Sequence, residues 1–190
     1  MNKENPPALL LIDIQKGHDN LTYWGGQRNN PDAEEKAKSL LGIWRSRQWP
    51  IYHIKHDSTN PISPLRAGQS GNDFKDMVAP LPGETIIKKN VNSAFIGTDL
   101  QTQLEELGIK TLVLVGLTTD HCVSTTTRMA GNLGFQTYVI EDAVACFNKL
   151  GPNGQEYSAE LIHETALASL HEEFAEVIDA KTLLIKLSLF

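Results

Sequence analysis

The chain has 190 residues, 41% of them hydrophobic, and carries 17 basic against 23 acidic side chains for a net charge of -6. A chain of this length suits one domain with a core large enough to hold a rigid site, so we predict a single domain over residues 1–190. It has no basic cluster that could follow a phosphate backbone and no apolar run of the roughly 18 residues that a membrane span needs. We therefore expect neither nucleic acid nor a membrane as a partner.

The N-terminal sequence and the cysteine content indicate the compartment. The first residues, MNKENPPALLLID, lack the charged start, long apolar stretch and small-residue cleavage site of a signal peptide. Cys122 and Cys146 fit two free thiols better than one disulfide in a domain with this much apolar sequence. Both features predict a cytoplasmic protein.

In chain order, the first predicted element is a strand over residues 8–14, ALLLIDI, because a continuous apolar run is typical of a strand buried on both faces. A helix follows over residues 31–47, with acidic residues early and basic residues late, which complements the helix dipole. PIYHIKH at residues 50–56 is the second predicted strand. Residues 57–83 show no sustained periodicity, and a surface excursion of this length commonly has a function.

The alternation of strands and helices continues in the second half. It predicts strands at 84–89, 111–116, 136–143 and 175–180, and helices at 98–108, about 120–133 and 155–170. Six apolar strands separated by helices indicate an α/β fold, a three-layer, doubly wound, Rossmann-like domain with a six-stranded, mostly parallel sheet. In such sheets ligands bind at the carboxyl ends of the strands, where the strand order reverses.

Three reactive side chains fall at predicted strand ends. Asp13 follows the first strand, Lys89 ends the third, and Cys122 lies across a short turn from the strand at 111–116. Taken singly, each also fits a structural role, as a turn cap, a solvated lysine and a small buried residue. Brought together at one sheet edge, they are the parts of a cysteine hydrolase, because a carboxylate can accept the thiol proton and an ammonium can stabilise the resulting charge.

Cys122 is predicted to lie in the first turn of the helix at about 120–133, with Thr119 or Asp120 as its N-cap. Unpaired backbone amides and the helix dipole favour a thiolate there, and a nearby lysine would favour it further. We therefore expect the pKa of the Cys122 thiol to lie below its ordinary value.

ALLLIDIQKGH, IIKKNVNSAFIGTDL and LVLVGLTTDHCVSTTTRMAGNLGFQTYVIEDAVA, in this order, resemble the isochorismatase-like cysteine hydrolase superfamily, which includes nicotinamidases and N-carbamoylsarcosine amidase. The resemblance runs from about residue 7 to 180. It implies a catalytic triad of Asp13, Lys89 and Cys122. Lys89 is chosen over Lys88 because the family lysine stands four residues before a serine, here Ser93.

The same resemblance implies a backbone oxyanion hole. In the family a non-proline cis peptide bond precedes the residue four positions before the cysteine, which corresponds to the bond between Leu117 and Thr118. The N–H groups of Thr118 and Cys122 would then bind the oxyanion. The triad and this hole imply attack by the thiolate on an amide or ureido carbonyl.

Four side chains are assigned to the substrate pocket on the strength of the resemblance, namely His18, His56, Phe95 and Leu117. Residues 66–71 and 80–84 of the long excursion are expected to form part of its rim. His18 stands where many relatives have an aromatic residue, which predicts a more polar pocket wall.

We expect no metal and no other cofactor. Nicotinamidases carry a metal-binding Asp-x-His followed by another His after the second strand, whereas this chain reads HIKHDS, without that aspartate before His53. On a strand, His53 and His56 would point to opposite sides of the sheet, which does not suit a shared metal ion.

The predicted function is that of a cysteine amidohydrolase, which cleaves the C–N bond of a small amide, carbamoyl or ureido compound through a Cys122 thioester. The expected partners are a small-molecule substrate and further copies of the chain in a homo-oligomer. Two alternatives stay open, an isochorismatase-type vinyl ether hydrolase and a non-hydrolytic thiol or ligand-binding protein. Isochorismatases that cleave a vinyl ether generally lack the cysteine, so Cys122 favours C–N hydrolysis.

Overall fold

Six parallel strands form the central sheet of the computed structural model, which describes residues 5–188. In chain order the strands are β1 Ala8–Ile12, β2 Ile51–His56, β3 Thr85–Lys89, β4 Thr111–Leu117, β5 Gln136–Ala145, the short pair β6 Lys149–Leu150 and β7 Glu156–Tyr157, and β8 Glu176–Ile178. The sheet order is β3-β2-β1-β4-β5-β8, with every neighbouring pair parallel, while β6 and β7 form a separate antiparallel pair. The predicted α/β fold is confirmed, and the sheet is wholly parallel.

The helices cover both faces of the sheet. They are α1 Leu21–Trp24, α2 Ala33–Arg47, α3 Leu100–Glu106, α4 Ser124–Asn132, α5 Ala159–Leu170 and α6 Ala180–Ser188. Helices α3, α4 and α5 pack on one face, and α2 and α6 pack on the other. Among the described helices, none is long and apolar enough to cross a membrane.

Strand β1 shows why the first apolar run is continuous. Leu10 and Ile12 pack into the core on the α3 side, whereas Leu9 and Leu11 pack into the core on the α2 side. Successive side chains of a strand point to opposite faces, and both faces of this sheet are covered, so every position has to be apolar.

Two helix starts differ from the sequence prediction. The helix predicted from residue 155 begins at Ala159, where the Ser158 side chain accepts a hydrogen bond from the Leu161 N–H, and residues 156–157 form strand β7 instead. The helix predicted from about residue 120 starts with a π-helical turn over Thr119–Val123 before α4.

The predicted N-cap of that second helix is also wrong. Thr118 is the N-cap residue, in an extended conformation and without a side-chain capping bond. Asp120 faces His121 and Lys149 instead, with its Oδ2 atom 3.3 Å from a nitrogen of each.

The long excursion at residues 57–83 passes over the carboxyl edge of the sheet. The chain runs outward from β1 to β2 and β3 and then returns to β4, so the strand order reverses between β1 and β4. The Lys75 N–H donates to the Ile14 carbonyl at 3.0 Å, and Gln15 pairs with Phe74, which ties the excursion to the end of β1. The residues that follow β1 and β4 therefore lie at the point where the strand order reverses, which is the usual ligand position in doubly wound sheets.

Candidate active site

Asp13 lies directly beyond β1, fully buried, in the left-handed region with φ +50°. Its N–H donates to the Ile54 carbonyl at 3.1 Å, which fixes the backbone against β2. One carboxylate oxygen, Oδ2, accepts a hydrogen bond from Lys89 Nζ at 2.5 Å. The other oxygen, Oδ1, is buried and has no hydrogen-bond partner, so it can still accept a proton.

Lys89 ends β3, donates hydrogen bonds to Asp13 and Cys122, and lies within hydrogen-bond distance of His56. Its Nζ atom lies 2.5 Å from Asp13 Oδ2, 2.9 Å from His56 Nδ1 and 3.2 Å from Cys122 Sγ. Burial alone would lower the pKa of Lys89, but Asp13 and Cys122 outweigh it and raise the pKa above its ordinary value. Lys88, one residue earlier on the strand, is exposed on the opposite face.

Cys122 lies in the π-helical turn after β4. The Thr118 carbonyl accepts the N–H groups of His121 and Val123, which holds the thiol at the turn. Burial and the Asp13 carboxylate raise the pKa of the Cys122 thiol above its ordinary value, and Lys89 opposes them without cancelling them. The expectation of a lowered thiol pKa is therefore wrong.

The ammonium of Lys89 sits where a metal ion would otherwise fit. Ligand atoms of Asp13, His56 and Cys122 lie within 4.8 Å of one another, and zinc binds all three residue types. The distances from Lys89 Nζ to these three groups show that a cation already occupies their centre. His53 lies away from this site, with its Nε2 atom 2.8 Å from Glu84 Oε2. The two histidines of β2 thus point to opposite sides of the sheet, as predicted.

A cavity of about 130 Å³ opens onto the thiol. Asp13, Thr118 and Cys122 border it on the sheet side. Its outer wall comes from the turn after β1, including His18, and from residues 58–65 of the excursion. The cavity is therefore polar at its floor and bounded by segments outside the regular elements.

Two of the four predicted pocket side chains, His18 and His56, border this cavity, and the other two do not. Phe95 packs against the core, with its ring centroid 6.0 Å from that of Phe135, and the preceding Ala94 N–H donates to Thr126 of α4 at 3.1 Å. Leu117 is buried against Ala33 and Ala145 on the far side of its strand. The prediction that Phe95 and Leu117 line the pocket is wrong.

The predicted rim is also wrong in its details. Residues 58–65 border the cavity, whereas residues 66–71 and 80–84 do not. Within the latter segment, Glu84 stands before the amino end of β3, and it binds His53 and Arg45. It is therefore at the opposite end of the sheet from Cys122.

His18 forms part of a neutral aromatic wall. Its ring stacks on Trp24 with centroids 4.7 Å apart, and its Nδ1 atom is buried without a hydrogen-bond partner. Burial, with a smaller effect of Lys75, lowers the pKa of His18 to about 3. The ring is therefore uncharged at neutral pH.

The peptide bond between Leu117 and Thr118 is cis, as predicted. Thr118 and Cys122 border the same cavity as Asp13. That their N–H groups bind an oxyanion stays a prediction.

Comparison with known proteins identifies the family. The isochorismatase domain model matches residues 7–182. The uncharacterized isochorismatase family protein YrdC of Bacillus subtilis is 45% identical, over 95% of this chain and 96% of its own length. The chain belongs to the isochorismatase family. A crystal structure of an isochorismatase-family hydrolase from Chromobacterium violaceum superposes with a TM-score of 0.94 at 43% identity, covering 100% of this chain and 97% of the other.

More distant members of the isochorismatase family carry named activities. Nicotinamidase 3 of Arabidopsis thaliana is 26% identical, over 93% of this chain and 86% of its own length. The maleamate amidohydrolase of Pseudomonas putida is 27% identical, over 90% and 82%. This chain is a hydrolase of the same family.

Sequence reasoning missed several residues of this isochorismatase-family site. Asn92 Oδ1 lies 3.8 Å from Cys122 Sγ, and Tyr23 and His121 also border the cavity. Asn92 could have been found, because it follows Lys89 by three residues at the same sheet edge. Tyr23 belongs to the turn and short helix after β1, whose path over the site depends on tertiary packing.

Proposed function

We propose that this hydrolase is a cysteine amidohydrolase, which cleaves the C–N bond of a small uncharged amide, carbamoyl or ureido compound through a thioester on Cys122. The observation that carries the proposal is the position of the Lys89 ammonium, bonded to both the Asp13 carboxylate and the Cys122 sulfur beside the cavity. A carboxylate, an ammonium and a thiol in mutual contact are the groups that nucleophilic attack by sulfur requires.

In the proposed first step, Cys122 Sγ attacks the substrate carbonyl while Asp13 Oδ1 accepts the thiol proton. The raised pKa of the thiol means that deprotonation and attack are coupled, because a free thiolate is not stable at rest. Lys89 stabilises the negative charge as it passes from the carboxylate to the sulfur. Its own raised pKa keeps it protonated throughout.

The tetrahedral intermediate carries its negative charge on the former carbonyl oxygen. The N–H groups of Thr118 and Cys122 are the proposed donors to that oxygen, each contributing on the order of 3 kcal/mol. Asp13, now protonated, donates its proton to the departing amine as the C–N bond breaks, which leaves the thioester. Asp13 then accepts a proton from water as the water attacks the thioester carbonyl. Breaking of the C–S bond releases the acid, and the thiol regains its proton.

The charges around the cavity support an uncharged substrate. Burial is the largest cause lowering the pKa values of His18, His56 and His121, so these three rings are neutral at neutral pH. Lys89 already has acceptors for all three of its hydrogens. Among the described residues that border the cavity, none is therefore a cation free to bind a substrate carboxylate.

Hydrolysis of a panel of amides, carbamoyl and ureido compounds, followed by ammonia or amine release, tests the reaction and the charge preference together. The panel includes maleamate and its uncharged methyl ester as a matched pair. We expect the ester to be the better substrate by about tenfold in kcat/KM, equivalent to roughly 1.4 kcal/mol. A clear preference for the anion would contradict the uncharged substrate class.

The thioester is tested by mass spectrometry of the rapidly quenched enzyme. We expect an acyl adduct on Cys122, loss of activity in Cys122→Ala, and retention of activity in Cys146→Ala. Cys146 is the matched control because its thiol is buried and bonded to the Ala159 carbonyl, outside the site. Undiminished amide hydrolysis by Cys122→Ala would contradict the thioester mechanism and favour C–N cleavage without a thiol.

A further inference from the structure

His56 contacts all three proposed catalytic residues, although the mechanism above assigns it no role. It ends β2 directly beside Lys89 at the end of β3, in register within the sheet. Its Nδ1 atom lies 2.9 Å from Lys89 Nζ, 3.7 Å from Asp13 Oδ2 and 3.8 Å from Cys122 Sγ. The histidine thus approaches the ammonium more closely than the thiol does.

The hydrogens of Lys89 fix the state of this histidine. An ammonium has three hydrogens to donate and cannot accept. The acceptors within reach of Lys89 Nζ are Asp13, Cys122 and His56 Nδ1. His56 Nδ1 must therefore carry a lone pair, which places the ring proton on Nε2 and leaves the ring neutral.

The backbone of His56 is held in place by two amide side chains. Its N–H donates to Gln15 Oε1 at 2.8 Å, and its carbonyl accepts from Gln15 Nε2 at 3.1 Å and from Asn72 Nδ2 at 3.0 Å. Gln15 follows β1 and Asn72 belongs to the excursion. These bonds tie the end of β2 to both segments, so the imidazole is oriented before any substrate enters.

We propose that His56 is a positioning residue of this enzyme, whose neutral Nδ1 accepts the third hydrogen of Lys89 and holds the ammonium between Asp13 and Cys122. Without this acceptor, the ammonium has an unpaired hydrogen and is free to turn away from the sulfur. The effect on the reaction rests on the proposed amidohydrolase function, whereas the hydrogen bond itself does not.

The proposal predicts an acid limb in the activity. The charged and titratable groups that face the ring are Lys89 on β3, Asp13 after β1, Cys122 in the π-helical turn and Asp57 next in the chain. Protonation of His56 would remove the acceptor and place two cations 2.9 Å apart. Burial and Lys89 lower the pKa of His56 below its ordinary value, so activity is retained at neutral pH and lost only at a pH below the ordinary titration range of histidine.

Two substitutions separate positioning from general structural support. His56→Asn keeps an acceptor oxygen near the place of Nδ1 but cannot titrate, and His56→Leu removes the acceptor. We expect kcat to fall about 10- to 100-fold in His56→Leu with KM little changed, as for loss of a hydrogen bond to a charged group. We expect His56→Asn to restore kcat to within a few-fold and to lose the acid limb assigned to His56. Wild-type kcat in His56→Leu, or an equal loss in both variants, would overturn the proposal.

Nitrogen NMR of the imidazoles in the intact wild-type protein tests the hydrogen bond without any substrate. We expect His56 to be neutral at pH 7 with its proton on Nε2, and Lys89→Met to change the Nδ1 chemical shift. A proton on Nδ1, or a charged ring, would overturn the inference even if both variants failed to fold. An Nε2–H ring in an enzyme that hydrolyses no amide would instead count against the proposed function alone.

Discussion

At the scale of single residues, the reactivity of Cys122 is set by two opposite charges in a buried site. The Asp13 carboxylate raises the thiol pKa and the Lys89 ammonium lowers it, on top of the increase caused by burial. Asp13→Asn removes the negative charge and leaves the positive one, so the thiol pKa should fall and the thiolate fraction at neutral pH should rise. Hydrolysis should nevertheless fall about 100- to 10,000-fold, because the proposed general base is lost.

Ultraviolet absorbance of the thiolate as a function of pH measures the first effect, and steady-state kinetics measures the second. The signal of Cys122→Ala is subtracted as a control. Cys146 does not interfere at neutral pH, because burial raises its pKa to about 12. If thiolate and activity rose or fell together in Asp13→Asn, Asp13 would not be acting as the proton acceptor.

The sequence predicted the members of this site better than it predicted their chemical state. Asp13, Lys89 and Cys122 could be proposed because apolar runs mark where parallel strands end, and the family resemblance implied Lys89 rather than Lys88. The thiol pKa could not be assigned, because helix-terminus arguments omit the desolvation that here has the largest effect. The orientation of Phe95 could not be predicted either, because it depends on packing against Phe135, which lies far along the chain.

At the scale of elements, β4 depends on a glycine beside the site. Gly116 has φ +120°, and a Cβ atom there would lie 2.1 Å from the Ile12 carbonyl oxygen of β1. Gly116→Ala should therefore lower the free energy of unfolding by about 3 kcal/mol or more. It should also reduce activity, because Thr118 lies two residues further on.

Gly42 provides the matched control for this substitution. It lies exposed in α2, without a positive φ, and a Cβ atom there would meet nothing within 4 Å. Gly42→Ala should raise the free energy of unfolding by about 0.5 to 1 kcal/mol through helix propensity. Urea denaturation measures the free energy of unfolding of both variants. If both substitutions changed it in the same direction, the contact of a Cβ atom at residue 116 with Ile12 would not explain the effect of Gly116→Ala.

A buried ion cluster joins α2 to the segments around the cavity. Glu34 accepts hydrogen bonds from Arg28 and from Lys75, and Lys75 also contacts Asp19 beside the pocket wall. Glu34→Gln leaves two largely buried cations without their shared carboxylate, so the free energy of unfolding should fall by about 3 to 5 kcal/mol. Glu35→Gln, on the exposed face of the same helix, should change it by less than about 1 kcal/mol. Denaturation curves with equal midpoints for these two variants would contradict this ranking.

The start of the helix after β4 could not be predicted from the local sequence. Thr119 and Asp120 have the chemistry of N-caps, yet neither caps the helix, because Thr119 bonds His163 of α5 and Asp120 faces Lys149. Tertiary partners displaced the local capping bonds. The chain forms a π-helical turn there, and local sequence rules do not anticipate such turns, although they are common at functional sites.

At the scale of the whole molecule, the strand and helix alternation was sufficient to predict the architecture. Continuous apolar strands require cover on both faces, and the helical connections between them require parallel neighbours. The paths of residues 16–30 and 57–84 were not predictable, because they lack periodicity and are fixed by bonds to distant parts of the chain. Assembly into a homo-oligomer stays a prediction.

The global stability should depend on pH mainly through buried histidines. His18 has a pKa of about 3 in the folded protein, compared with about 6.5 when unfolded, so the unfolded chain binds its proton first as the pH falls. The contribution of His18 to the free energy of unfolding is complete above pH 6.5. Below that pH it is lost at about 1.4 kcal/mol per pH unit. Glu34, with a folded pKa of about 2 against 4.5, adds its own loss only below pH 4.5.

The interval between pH 7 and pH 5 therefore isolates the histidines. The wild type should lose free energy of unfolding over this interval, and His18→Phe should lose about 2 kcal/mol less, because the phenyl ring cannot titrate. Phenylalanine is chosen because it can keep the stacking on Trp24 and Phe147. Urea denaturation of both proteins at the two pH values gives the four free energies required. If His18→Phe lost as much free energy of unfolding between pH 7 and pH 5 as the wild type, His18 would accept its proton as readily in the folded protein as in the unfolded chain. That would contradict its buried position against Trp24.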